Sequence, residues 1–479
     1  MSRLLRTPAA FAGLIVAMLL PARAVDWPVF GFDPSRSGFN SSEKTLTVHN
    51  VHRLREKWQI SLGSVADSTP ILLQHVRVGR FNRTMLFQTT LSGETFGIDA
   101  TSGKIIWHYA THGPNYTHST PAADPSGKAI FVPGVDGKVH RLKAATGHDV
   151  RGNGFPARIT KIPATEADES PLNVANGYLY ATISGYNGDG TPYDGHVVAV
   201  NLSSGKATVF NSLCSDKHQL LSGSGCSAQR SGIWARGGAV VDPDTSMNGR
   251  VYAATGNGDF NANQKSGVNY GDSVVALSAD LLDLIGSYTP TNYQQLQDGD
   301  VDLGSTSPTM LPQQPNSQTP WMMTEGGKDA VLKLLNRAAL PGVGNELQLV
   351  DLPGPLFSTP AVWTDGSSNA WLFMGFSDVV QAYRLQTNGS GVSSLVGIWH
   401  TSPGQTGGEG TSPVVANGIV FVAFDGAIVA LDALNGNELW NSSNHPKSIG
   451  RVHWESPIVA NGWVYCSDQS GNLTGFALQ

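Results

Sequence analysis

The chain has 479 residues, of which 14% are charged and 40% hydrophobic, with 55 Gly and 27 Pro. So low a charge lets the chain bury enough apolar surface to offset its entropy, which excludes disorder; this Gly and Pro density excludes long helices and coiled coils. The net charge of −6 gives no support to a nucleic-acid surface.

At the start of the chain, Arg3 and Arg6, the apolar run Ala9–Leu20 and the small-x-small triplet Ala22-Arg23-Ala24 read as a signal peptide over residues 1–24. That run is too short to span a bilayer as a mature helix, and no Cys follows the expected cleavage site to carry a lipid anchor. The expectation is a soluble, exported protein without a membrane anchor, periplasmic or extracellular, whose mature part is residues 25–479. Within a leading segment, residues 25–60, Asn50 as N-cap predicts a short helix over Val51–Trp58, and a closing strand is expected there as well.

Beyond this segment the chain repeats. Gly97-Ile98-Asp99-Ala100-Thr101-Ser102-Gly103 runs on to Trp107, and Ala430-Leu431-Asp432-Ala433-Leu434-Asn435-Gly436 runs on to Trp440 in the same frame; weaker copies start at Arg141 and Ala199. Each copy reads as a strand, a Gly-containing turn and a return strand, and the two Trp read as packing residues. A Ser/Thr-Pro marker precedes each unit, at Pro70, Pro121, Pro171, Pro308, Pro360, Pro413 and Pro457, with Gly237-Gly238-Ala239 in the place of the missing one. Eight units of about 57 residues suit four short strands each, which predicts an all-β, eight-bladed β-propeller of four-stranded antiparallel blades.

Cys214 and Cys226 lie in a Ser/Gly-rich stretch, and an oxidising compartment would let them pair; Cys466, in a strand-like run, reads as a buried free thiol. No Cys has the C-x-x-C-H spacing of covalent haem, and the scattered His, among them His49, His52, His112 and His118, show no metal-binding spacing.

The Ala-x-Asp-x-x-x-Gly-x-x-x-Trp frame, together with the opening Trp27-Pro28-Val29-Phe30-Gly31-Phe32-Asp33, resembles the pyrroloquinoline quinone (PQQ) repeat of the quinoprotein alcohol dehydrogenase-like propellers. The resemblance implies a site. Asn257 in Thr255-Gly256-Asn257 matches a metal ligand of that family, and Asp302 matches its catalytic Asp, which would also reach the metal. Lys328 matches a basic residue that contacts the quinone; Trp234 lies about two residues from the place of the Trp on which the quinone stacks. PQQ and Ca²⁺ are the cofactors so implied, and oxygen donors such as Asn257 and Asp302 suit a hard cation. Each residue also has a plain structural reading: Asn257 and Lys328 suit turns, and Asp298-Gly299-Asp300-Val301-Asp302 suits a solvated loop or a structural Ca²⁺ loop. Glu169, Glu409 and Glu455, just before their markers, are either surface carboxylates or an acidic mouth to the central channel.

The chain departs from the family pattern in three ways. Its blade-three turn, Ser184–Gly195, lacks the Glu that ligates the metal, leaving Asp189 or Asp194 to stand in; the adjacent-cysteine disulfide is absent; and an external cytochrome would be needed as electron acceptor. On these grounds the sequence reads first as a binding or scaffold protein holding a small molecule, glycan or protein on one propeller face, with a degenerate quinone site. The alternative is a PQQ- and Ca-dependent dehydrogenase of an alcohol or related hydroxyl substrate.

Overall fold

The computed structural model describes residues 24–186, 192–222 and 225–479. The expected signal peptide and Asp189 therefore lie outside the described residues. Among the described residues no helix is long and apolar enough to cross a membrane.

The strands form eight sheets, each built on a four-strand antiparallel meander, in the order the repeat predicts. Blade seven shows how the sequence builds one. Strands Val414–Ala416, Ile419–Phe424, Ala427–Asp432 and Glu438–Asn441 pair in succession. Asn417 and Gly418 between the first two both have positive φ, 48° and 78°, the hairpin geometry whose twist matches the flanking strands. The first strands of neighbouring blades approach one another around the ring, as strands nearest a common axis must.

The repeated Trp joins one blade to the next. The indole N–H groups of Trp58, Trp107 and Trp399 donate to the carbonyls of Ala100, Ala144 and Ala433 at 3.0, 2.9 and 3.0 Å. Each ring lies on the turn Gly of that next blade, so closely that a Cβ on Gly147 would stand 2.4 Å from Trp107. Trp440 donates instead to the Leu54 carbonyl at 3.2 Å, because the outer strand of the following blade comes from the start of the chain.

That strand corrects the expected helix. Val51–Arg53 is a single 3₁₀ turn, and Leu54–Ser61 is a strand paired antiparallel to Asn472–Leu478, which closes blade eight. The Asn50 side chain does not cap the turn; it bonds Thr47 and Thr45 at 2.8 Å each. Leu54 and Trp58, four apart and both buried, fit a helical face, but a spacing of four fits the period of two of a strand as well. Among the described residues one α-helix forms, Tyr293–Gly299, where the sequence predicts none.

Residues 27–40 cross the channel and tie the blades together. Backbone bonds link Trp27 to Leu72, Pro28 to Ala123, Pro34 to Val241, Ser37 to Val362 and Gly38 to Val415. The buried Arg36 guanidinium donates to the carbonyls of Phe30, Pro171, Leu172 and Gly237 at 2.8–3.0 Å. Cys214 and Cys226 form the expected disulfide, and Cys466 is a buried free thiol.

Candidate functional site

A cavity of about 560 Å³ opens on the channel. Part of its wall comes from residues just before the markers, which the repeat brings to one ring. Trp234, Phe357 and Trp454 each stand three residues before a marker position, as His118 does, while Glu169 and Glu409 stand two and four before theirs.

All four residues singled out for the quinone site line this cavity. Asn257 follows the blade-four strand Val251–Ala254, and its backbone N–H donates to Asp302 Oδ1 at 2.7 Å. Its side-chain amide donates to Asp300 Oδ1 at 3.1 Å. Gly256 permits this approach: a Cβ there would stand 2.7 Å from Asp302 Oδ1 and 3.3 Å from Trp234 Nε1. Lys328, in the turn between strands Met322–Glu325 and Val331–Asn336, pairs with Asp302 Oδ2 at 2.5 Å. Its ammonium lies 5.4 Å from the centre of the Trp234 ring. Trp234 itself stands against Phe357 and Trp454, ring centres 6.1 Å apart in both pairs.

Charge in this corner is balanced locally. Burial pushes the Asp302 carboxyl up, and the Lys328 ammonium and the Asn257 N–H pull it part of the way back. Burial disfavours the Lys328 ammonium, but the charge and hydrogen bond of Asp302, with the charges of Asp300 and Glu409, together outweigh it and hold the proton on. Asp302 is thus a buried carboxyl whose charged form burial disfavours and Lys328 partly restores, and the cavity wall offers oxygen donors from Asn257, Asp300 and Asp302 beside aromatic faces.

Other expectations need correction. The acidic run does not form one cation loop: Asp298 ends the helix Tyr293–Gly299 and accepts from Gln294 at 2.9 Å, whereas Asp300 and Asp302 face the cavity. Asp194 is buried beside the Glu166 carboxylate, which accepts its N–H at 2.9 Å, and does not line the cavity. From blade three it is Glu169 that does. Glu169 and Glu409 face the cavity as an acidic rim would, but Glu455 is fully buried, accepting from His453 N, Trp454 N and Gln469 Nε2 at 2.6, 3.1 and 2.9 Å.

The family described as glucose/ethanol/alcohol dehydrogenase, beta-propeller domain, matches residues 27–287. The chain belongs to this PQQ-repeat family. A second family, described as outer membrane protein assembly factor BamB, matches residues 393–479. The quinoprotein glucose dehydrogenase of Escherichia coli (strain K12) is 28% identical over 193 residues. That match takes in 37% of this chain and 22% of the relative, so most of the relative's length has no counterpart in it. Among solved structures, quinohemoprotein alcohol dehydrogenase ADHIIG from Pseudomonas putida HK5 superposes with a TM-score of 0.68 at 14% identity, over 95% of this chain and 80% of that one. The quinohemoprotein alcohol dehydrogenase from Comamonas testosteroni gives 0.66 at 15%, over 95% and 80%. A europium-containing methanol dehydrogenase gives 0.64 at 15%, over 95% and 98%. At these identities the likeness is one of fold.

Sequence reasoning missed His118, His453, Trp454 and Phe357 as cavity residues. The signal was available: the place three residues before a marker, which also holds Trp234, points to the cavity whenever its side chain is long enough. Read alone, the His showed no spacing, because His118 and His453 are far apart in the chain.

Proposed function

We propose that this PQQ-repeat propeller binds a planar, anionic quinone of the PQQ class with a divalent cation in its central cavity, and oxidises a hydroxyl substrate there. The convergence of Trp234, Asn257, Asp302 and Lys328 on one cavity carries this reading. The residues suit such a group: Asn257, Asp300 and Asp302 present the oxygen donors a hard cation takes, Trp234 and Trp454 give flat apolar faces, and Lys328 gives a cation for an anionic ring. When bound, a metal-linked quinone supplies a hydride acceptor.

The chain's own residues would supply the proton chemistry. Asp302, fixed through Oδ1 by the Asn257 N–H and through Oδ2 by Lys328, is placed to take the hydroxyl proton of the substrate. Lys328 holds the opposing charge in place and offsets negative charge that develops beside it. Export suits this reading, supported by the Cys214–Cys226 disulfide, which persists in oxidising compartments, and by the leader-like start of the chain.

Binding without turnover is the second reading. It is favoured by the blade-three turn, where no Glu stands, and by Asp194, which does not line the cavity. Titration of purified protein with PQQ and Ca²⁺, followed by tryptophan fluorescence, and then dye-linked oxidation of an alcohol panel, tests both. Saturable quenching with turnover is the expected result. Quenching without turnover leaves the binding protein, and no quenching removes the quinone reading altogether.

A further inference from the structure

Across the cavity from Asn257 lies a cluster that the quinone reading does not use. Asp67, His118 and His453 precede the inner strands of blades one, two and eight, three successive blades of the closed ring. His118 Nδ1 lies 2.8 Å and His453 Nδ1 2.9 Å from the same carboxylate oxygen, Asp67 Oδ2. The three donor atoms all lie within 4.8 Å of one another, close enough for a small adjustment to bring them onto a single ion at about 2.0–2.2 Å. We infer that Asp67, His118 and His453 form a three-ligand site for a divalent transition ion of the zinc type, set in the cavity wall and separate from the Asn257–Asp302 corner.

The surroundings are those of a built site. A metal-bound imidazole characteristically directs its other nitrogen at a carboxylate, which fixes ring and tautomer. Here both rings do so: His118 Nε2 lies 3.5 Å from Glu169 Oε2, and His453 Nε2 lies 3.5 Å from Glu409 Oε2. Asp67 Oδ1 accepts the Trp454 N–H at 3.2 Å, leaving Oδ2 turned to the rings. The ligand loops are also held from behind. The buried Arg236 guanidinium donates to the main-chain carbonyls of His118, Glu169 and Asp67 at 3.4, 3.2 and 3.5 Å. Asp67, Glu169 and Glu409 together place carboxyl oxygens on the two rings, so oxygen atoms surround the cluster. Imidazole nitrogen with one carboxylate oxygen suits Zn²⁺, Co²⁺ or Cu²⁺ over Ca²⁺. Because His118 and His453 line the cavity, an open coordination position would face the same space as Asp302. An ion entering must displace the ring protons that point at Asp67, so binding releases protons.

The test needs no quinone, so its outcome is independent of the function proposed above. Chelator-stripped full-length protein is dialysed against Zn²⁺ or Co²⁺ at mildly alkaline pH, and retained metal is counted by mass spectrometry. One ion per chain is expected, with Co²⁺ giving the visible bands of a low-coordinate nitrogen site. His118→Gln and His453→Gln keep a side-chain N–H for Asp67 and should each weaken binding by about tenfold or more; Glu169→Gln should weaken it by roughly tenfold. Asp302→Asn, which alters the other cation corner of the cavity, should leave the Co²⁺ bands and the Cu²⁺ nitrogen coupling unchanged. Circular dichroism melts check that the variants fold. Electron paramagnetic resonance of Cu²⁺ on the wild-type chain gives a readout that does not depend on any variant, with coupling to two imidazole nitrogens expected. No retained ion, retention unchanged in both His variants, or Cu²⁺ spectra without nitrogen coupling would each overturn the site.

Discussion

Lys328 pairs with Asp302 at 2.5 Å, and both belong to blade five: Asp302 precedes its inner strand and Lys328 turns its central hairpin. The pair therefore forms within one repeat unit, and its geometry follows from local folding. The Lys328 side chain is 24% exposed and that of Asp302 6%. Replacing Lys328 by Met leaves a buried carboxylate without its cation. For a fully buried pair that costs about 3–5 kcal/mol; solvent access to the ammonium lowers the expected loss to about 1–2 kcal/mol, measured by urea unfolding. Quinone-dependent quenching should weaken by about tenfold, one lost charge contact being worth about 1.4 kcal/mol.

The Trp–Gly contact between blades sets a second expectation. Gly147 has φ of 68°, and its Cβ position is filled by the Trp107 ring. Gly147→Ala is strained both by backbone and by contact, and should destabilise by about 2–3 kcal/mol. Trp107→Phe removes the hydrogen bond to Ala144 and opens a gap, with a loss of about 2 kcal/mol or more. Calorimetric melting temperatures check both; unchanged values would mean that the blade boundary does not bear on stability.

Thiol counting tests the covalent framework. The denatured, unreduced chain should show one reactive thiol, Cys466, and the reduced chain three. The bond joins residues twelve apart, and Cys226→Ser should cost about 3 kcal/mol on the loop-entropy account.

Acid should weaken blade two before the remainder unfolds. Burial pushes the Asp136 carboxyl up, but hydrogen bonds from His140 and Lys138 outweigh it and hold it at about 2, below the 3.8 of an unperturbed group. A depressed folded-state pKa contributes stability that is present above about pH 4 and is lost as pH falls towards 2. Asp136→Asn should flatten that part of the stability profile while lowering stability at pH 7, read from denaturant midpoints at each pH.

The corner around Asn257 was legible only through the resemblance to PQQ-repeat propellers, carried over residue by residue; taken alone, Asn257 and Lys328 read as turn residues and Asp302 as part of a solvated or cation loop. The expected helix at Val51–Trp58 failed for a different reason. Whether Leu54–Ser61 is helix or strand depends on its partner, Asn472–Leu478, at the far end of the chain, and no local window contains both.

By itself the sequence determined the repeat and the count of eight blades, because these rest on turns and spacings within about fifty residues, and it offered the Cys214–Cys226 pair twelve residues apart. Only the tertiary structure decided the meeting of Asp67, His118 and His453. Blades one and eight become neighbours when the ring closes, and closure depends on the long-range pairing of the first outer strand with the last. Arg236, bonded to carbonyls from three separate loops, carries no local signal either, since main-chain acceptors leave no mark in a sequence.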